Sequence, residues 1–164
     1  MRRLGVDPGS VRTGVAVADD ELGVATPLVT LKHASQADAL AQLATVVTEQ
    51  EVGEIVIGLP LAMDGREGEA ARRARRFASE VTARCGVPVV LWDERLSSAS
   101  AERALRAQGK KGEARRGVVD QAAATLLLQS YLDSQRDRRW DEDSAQANDE
   151  PSPAPERARP KRPR

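Results

Sequence analysis

The hydrophobic period of this chain changes at Ser35, and that change limits the fold more than composition does. Ahead of it lie three short segments of β type. Arg3–Asp7 alternates and runs into Pro8-Gly9, Thr13–Ala18 closes at Asp19-Asp20, and Ala25–Leu31 contains Pro27, which points to an edge strand or a bulge. Two short turns join them, which predicts an antiparallel meander. From Ser35 on, the apolar spacing is helical. Ser35 followed by Asp38 makes a variant of the capping box, and Leu40, Leu43 and Val47 share a face. Glu54–Gly58 is a continuous apolar run ended by glycine, the pattern of a buried strand. Gly68–Arg84 is helical again, with Ala70, Ala74, Phe77, Ala78 and Val81 on one face, and Val89–Trp92 reads as a second buried strand. Ser97 or Ser98 is expected to cap a short helix reaching Ala107. Gln108–Arg116 reads as a loop of Gly, Lys and Arg. Gly117–Leu132 reads as a last helix with Val119, Ala123, Leu126 and Leu127 turned inward.

The predicted class is α/β: a mixed five-stranded sheet, three antiparallel meander strands plus two parallel, flanked by helices. RNase H-like folds share that element order, and so does the nucleotide-binding half of the actin and sugar-kinase folds. Only 2% of residues are aromatic, so the core must come from Val, Leu, Ile and Ala. Residues 1–133 hold this pattern and form one domain. From 134 to 164 apolar residues almost vanish, and the last stretch combines prolines with Arg157, Arg159, Lys161, Arg162 and Arg164. That tail is expected to be disordered. With Cys85 alone no internal disulfide can form, which fits a reducing cytoplasm, and no apolar run is long enough to span a membrane.

Acids stand at three places where the apolar pattern ends. Asp7 closes the first strand within Gly5-Val-Asp-Pro-Gly9, Asp93 and Glu94 follow the strand Val89–Trp92, and Asp120 opens the last helix after Val118-Val119. Each alone has a plain explanation: a turn, a solvated strand end with an ion pair, or a charge that complements a helix dipole. Together they describe one cleft at the carboxyl ends of strands. Adjacent acids in a strand face opposite ways, so one of Asp93 and Glu94 reaches it. Such a cluster offers oxygen ligands to Mg²⁺ or Mn²⁺, and there is no Cys/His set for zinc. His33 reads as a strand-end residue. The loop Gly58–Glu67 follows a buried strand toward the same edge.

Net charge is zero, so the chain is not a generally basic nucleic-acid binder; its basic residues are clustered instead. Arg103, Arg106, Lys110, Lys111, Arg115 and Arg116 flank the glycine loop before Asp120, where they would attract a polyanion that the carboxylates repel. Arg72, Arg73, Arg75 and Arg76 read as a solvated helix face.

Four blocks in this order and spacing resemble the YqgF/RuvX family of pre-16S rRNA nucleases and Holliday-junction-resolvase-like proteins. They are Leu4-Gly-Val-Asp-Pro-Gly-Ser-Val-Arg-Thr-Gly14, Ile55-Val-Ile-Gly-Leu-Pro-Leu-Ala-Met-Asp-Gly65, Trp92-Asp-Glu-Arg-Leu-Ser-Ser98 and Val119-Asp-Gln-Ala-Ala-Ala124, within a match over about 2–133. Ala62 stands where Asn is frequent and Val11 where a basic residue is frequent; neither touches the acids. The resemblance implies an RNase H-like fold and a cytoplasmic divalent-metal nuclease that trims the 5′ end of pre-16S rRNA. It implies Asp7, Glu94 and Asp120 as the acidic triad. Two-metal hydrolysis would have Asp7 bridge both ions, with Arg12 and Arg95 binding the phosphate. A junction resolvase acting on four-way DNA is the alternative, and with it a homodimer, because symmetric cuts call for paired subunits. An ATP-binding module lacks a second domain to close on the nucleotide, and a silent binding protein would have no need of all three acids.

Overall fold

The computed structural model describes residues 1–97 and 113–148, with side chains described for 1–97 and 116–146. Five strands form one sheet: β1 (Arg2–Asp7), β2 (Arg12–Asp19), β3 (Ala25–Lys32), β4 (Val52–Leu59) and β5 (Val89–Asp93), in the order β3-β2-β1-β4-β5. β1, β2 and β3 pair antiparallel, while β4 lies parallel to β1 and β5 parallel to β4. This is the mixed sheet expected from the period change. Pro27 satisfies both of its expectations: β3 is an edge strand, and the register with β2 shifts between Val15 and Ala16, where Pro27 is paired. β5 is also an edge strand and is half-buried along its length, so its apolar run was no guide to a central position.

Helices α1 (Gln36–Glu49) and α2 (Glu69–Cys85) cover one face of the sheet, and α3 (Glu113–Asn148) covers the other. The alternation within strands decides which residue goes where. Leu4, Val6, Val15, Ile55 and Ile57 pack under α1 and α2 with Leu43, Val47, Phe77 and Val81. Ala16, Ala18 and Val56 point the other way, toward Ala123, Ala124, Leu127 and Leu128 of α3. The α1 cap is reciprocal: Asp38 N–H donates to Ser35 Oγ at 3.1 Å, and Ala34 N–H donates to Asp38 Oδ2 at 3.1 Å. Gly86 ends α2 in the left-handed conformation at φ 69°, which favours glycine.

Several boundaries differ from the sequence reading. Ser97 closes a 3₁₀ turn over Glu94–Leu96 that the sequence reading did not include, donating its N–H to the Glu94 carbonyl at 3.1 Å. The helix expected up to Ala107, and most of the basic loop, lie outside the described residues. α3 begins at Glu113, inside the segment read as loop. Its buried face runs Asp120, Ala123, Ala124, Leu127, Leu128, Tyr131 and Leu132, so the inward stripe is rotated by one position and leaves Val119 and Leu126 half-buried.

α3 also continues to Asn148, across residues 134–148 that the composition assigned to a disordered tail. Those residues are exposed from Arg136 to Gln146 and gain no core. The packed stem supplies the costly nucleus, and Arg, Glu, Gln and Ala propagate the helix at little cost, helped by the Arg136–Asp133 pair one turn apart at 2.8 Å. Residues 149–164 lie outside the described residues.

Candidate active site

The sheet brings the acids together through glycines. Asp7 is the last residue of β1, and its antiparallel partner on β2 is Gly14. A Cβ on Gly14 would run into the backbone of Asp120, whose Cα would stand 3.1 Å away. Gly5 has the same role a helical turn further along α3, where a Cβ would lie 2.7 Å from the Ala124 carbonyl oxygen. The missing side chains let α3 lie directly on β1 and β2, which sets Asp120 beside the end of β1. On the other flank Val6 pairs with Ile57, so Gly58 stands next to Asp7. There a Cβ would strike the Glu94 side chain, with its Cγ at 2.9 Å. Asp7, Asp120 over Gly14 and Glu94 over Gly58 thus converge on one corner of the sheet, on the face that carries α3.

These carboxylates are buried, with exposures of 2% for Asp7, 4% for Glu94 and 1% for Asp120. Buried charge is costly unless it is paired or bound to metal. Asp120 has a pair: Arg12 Nε donates to its Oδ2 at 3.1 Å. Because α3 starts at Glu113, Asp120 lies beyond the first turn, where the helix dipole has little hold on it, so the dipole explanation does not account for its position. Among the described residues no three His, Cys, Asp or Glu side chains are grouped so as to hold a metal ion as they stand. By donor chemistry, three carboxylates suit a hard divalent cation, and Arg12 now lends Asp120 the positive charge such an ion would bring.

Asp93 and Glu94 separate as adjacent residues should. Asp93 caps the 3₁₀ turn, accepting from the Arg95 N–H at 3.0 Å, and pairs with the Arg95 guanidinium at 2.7 Å. Those Arg95 hydrogen bonds hold its carboxyl below the usual range, against a smaller opposing effect of burial. Arg95 also donates to the Met63 carbonyl at 3.3 Å, which ties the Gly58–Glu67 loop to the Glu94 turn. Both arginines expected at a phosphate are therefore committed within the protein. Arg116 is half-buried, one helical turn before Asp120; Lys110 and Lys111 lie outside the described residues, as does the side chain of Arg115.

The sequence reading missed the wall beside this corner. Thr13 is buried and its Oγ1 lies 3.0 Å from His33 Nε2, a hydrogen bond that fixes the histidine at the end of β3. Only the pairing of β2 with β3 could have shown it. No helix among the described residues is long and apolar enough to cross a membrane.

The comparisons agree with this architecture. The family model described as "RuvX: Holliday junction resolvase" matches residues 1–134. A protein of Anaeromyxobacter sp. (strain Fw109-5) named "Putative pre-16S rRNA nuclease" is 50% identical over 133 residues, covering 81% of this chain and 97% of its own. One of the same name from Nocardioides sp. (strain ATCC BAA-499 / JS614) is 46% identical over 140 residues, covering 82% and 88%. Among solved structures, T. thermophilus RuvC in complex with a Holliday junction substrate superposes with a TM-score of 0.53 at 16% identity, over 83% of this chain and 96% of RuvC, and so shares its fold. With the family model spanning the whole sheet and all three acids, the chain belongs to the RuvX family.

Proposed function

We propose that this protein is a divalent-metal-dependent nuclease that hydrolyses phosphodiester bonds near the 5′ end of pre-16S rRNA. The observation that carries the reading is the convergence of three buried carboxylates, from β1, the turn after β5 and α3, on one sheet corner cleared by Gly14 and Gly58. Asp7, Glu94 and Asp120 would hold Mg²⁺ or Mn²⁺. Bound there, the metal would supply an acidified water as nucleophile and charge stabilisation for the leaving oxygen. Arg12 has a double role: it neutralises Asp120 in the free protein and, once displaced from it, presents its fork to a phosphate oxygen. Arg95, tied to Asp93 and Met63, braces the turn that aims Glu94. The rRNA substrate follows the name shared by relatives near 50% identity, against 16% for RuvC.

The test offers the purified protein a labelled RNA carrying a pre-16S 5′ leader and a four-way DNA junction, each with Mn²⁺ or Mg²⁺ and with chelator. Leader cleavage that chelation stops and Asp7→Asn abolishes, with RNA binding kept, supports the assignment. Paired nicks in the junction alone would replace it with resolvase activity. Full activity of Asp7→Asn would remove the carboxylate site from the mechanism.

A further inference from the structure

Beside the acidic corner a cleft of about 470 Å³ opens between the ends of the central strands and helices α1 and α2. Glu94 lines one side of it, and Ser10, Thr13, His33, Phe77 and Arg73 line others. The proposed hydrolysis uses only Glu94 among these. The remaining lining includes groups that a nucleotide uses: hydroxyls, the His33 ring, the small exposed part of the core residue Phe77, and a cation, among smaller apolar residues. Its volume falls in the range of small-ligand sites.

The cation is singled out by its neighbours. Of the four arginines between Arg72 and Arg76 on α2, Arg75 is held by Glu67, and Arg72 and Arg76 are both held by Glu69. Those pairs draw Glu67 and Glu69 below the usual carboxylate range through hydrogen bonds from the arginines. Arg73 has no hydrogen-bond or ion-pair partner among the described residues, and it is the arginine of the four that faces the cleft. The Arg72–Arg76 cluster that reads as uniformly solvated in the sequence therefore divides into three arginines engaged with acids and one free guanidinium on the cleft that Glu94 also lines.

We propose that this cleft is a subsite for one unpaired nucleotide next to the scissile phosphate, with Arg73 binding that nucleotide's phosphate and the base lying against His33 and Phe77. The proposal rests on the nuclease reading for the position of the scissile bond. Bases stack on aromatic side chains whatever their sequence, and a base engaged in a duplex cannot enter a cleft of this size. The Thr13–His33 hydrogen bond holds the histidine wall in place.

The test measures binding of a short labelled single-stranded RNA and of the matching duplex RNA by fluorescence anisotropy, in chelator, to the full chain and to Arg73→Ala, Arg73→Lys and Arg76→Ala. Steady-state cleavage is measured in parallel with metal. Arg73→Ala is expected to weaken single-strand binding about tenfold and to raise KM by a similar factor with kcat nearly unchanged. Arg73→Lys should recover some of the loss, and Arg76→Ala should match wild type. Equal losses for Arg73→Ala and Arg76→Ala, or an equal loss on single-stranded and duplex RNA, would overturn the subsite. Wild type that cleaves nothing yet shows the Arg73 binding difference would uphold the subsite while removing the nuclease reading. Cleavage that is normal in Arg73→Ala would do the reverse.

Discussion

Replacing Gly14 by alanine tests whether the contact between α3 and β2 sets the catalytic geometry. The added methyl would overlap the Asp120 carbonyl, with the Asp120 Cα at 3.1 Å, and all of these atoms are backbone that cannot rotate aside. The helix must retreat by on the order of 1 Å, a misplacement that costs roughly 100-fold in rate when it falls on reacting groups. That is about 2.7 kcal/mol of barrier. Overpacking of this kind destabilises a fold by about 1–3 kcal/mol, less than the total stability of most domains. The variant should therefore remain folded in a urea titration while its kcat for leader RNA falls by roughly 100-fold. Gly58→Ala supplies the comparison: its methyl meets the Glu94 side chain, which can swing away, so activity falls with little loss of stability. Wild-type kcat in a stably folded Gly14→Ala would refute the claim that close approach of α3 positions Asp120 for catalysis.

Two further predictions concern the buried polar cluster at the far end of the same sheet face. Arg3 is 8% exposed, bonds Glu54 at 2.7 Å, pairs with Asp20 and lies 5.9 Å from the centroid of the Tyr131 ring. Arg3→Ala leaves two acids facing each other without their cation and should cost about 3–5 kcal/mol by denaturant titration, with a loss below about 1 kcal/mol contradicting it. Burial, and then the hydrogen bond Tyr131 donates to Glu54 at 3.0 Å, raise the Tyr131 pKa. Since its folded pKa lies above the unfolded one near 10, the stabilisation is present below about pH 10 and is lost as pH climbs toward the folded value. The stability advantage of wild type over Tyr131→Phe should hold up to about pH 10 and shrink as pH rises beyond it, and a constant gap would exclude this linkage.

The fold was legible where local pattern and tertiary need coincide. Period-two alternation in Arg3–Asp7 fixed which side chains face α3, and a strand-ending aspartate there could only sit at a corner. What stayed hidden depends on partners distant along the chain. Gly14 reads as an ordinary strand residue in Gly-Val-Ala-Val-Ala until α3 lies on it. Arg12 looked available for phosphate because Asp120, 108 positions away, gave no local sign of holding it. The four clustered arginines Arg72, Arg73, Arg75 and Arg76 could not be told apart until Glu67 and Glu69 had chosen three of them. The extension of α3 escaped because composition reports the ability to bury a core, whereas a helix already nucleated by one can run on without burying anything more.

The docking of α3 has a consequence for when the protein becomes active. Asp7 stands on β1 and Asp120 on α3, so the proposed acidic set is complete only while α3 lies on the sheet. On the proposed mechanism, any excursion that lifts α3 off the sheet would switch cleavage off. Hydrogen exchange at the α3 amides would follow the same opening that sets the fraction of molecules able to cut.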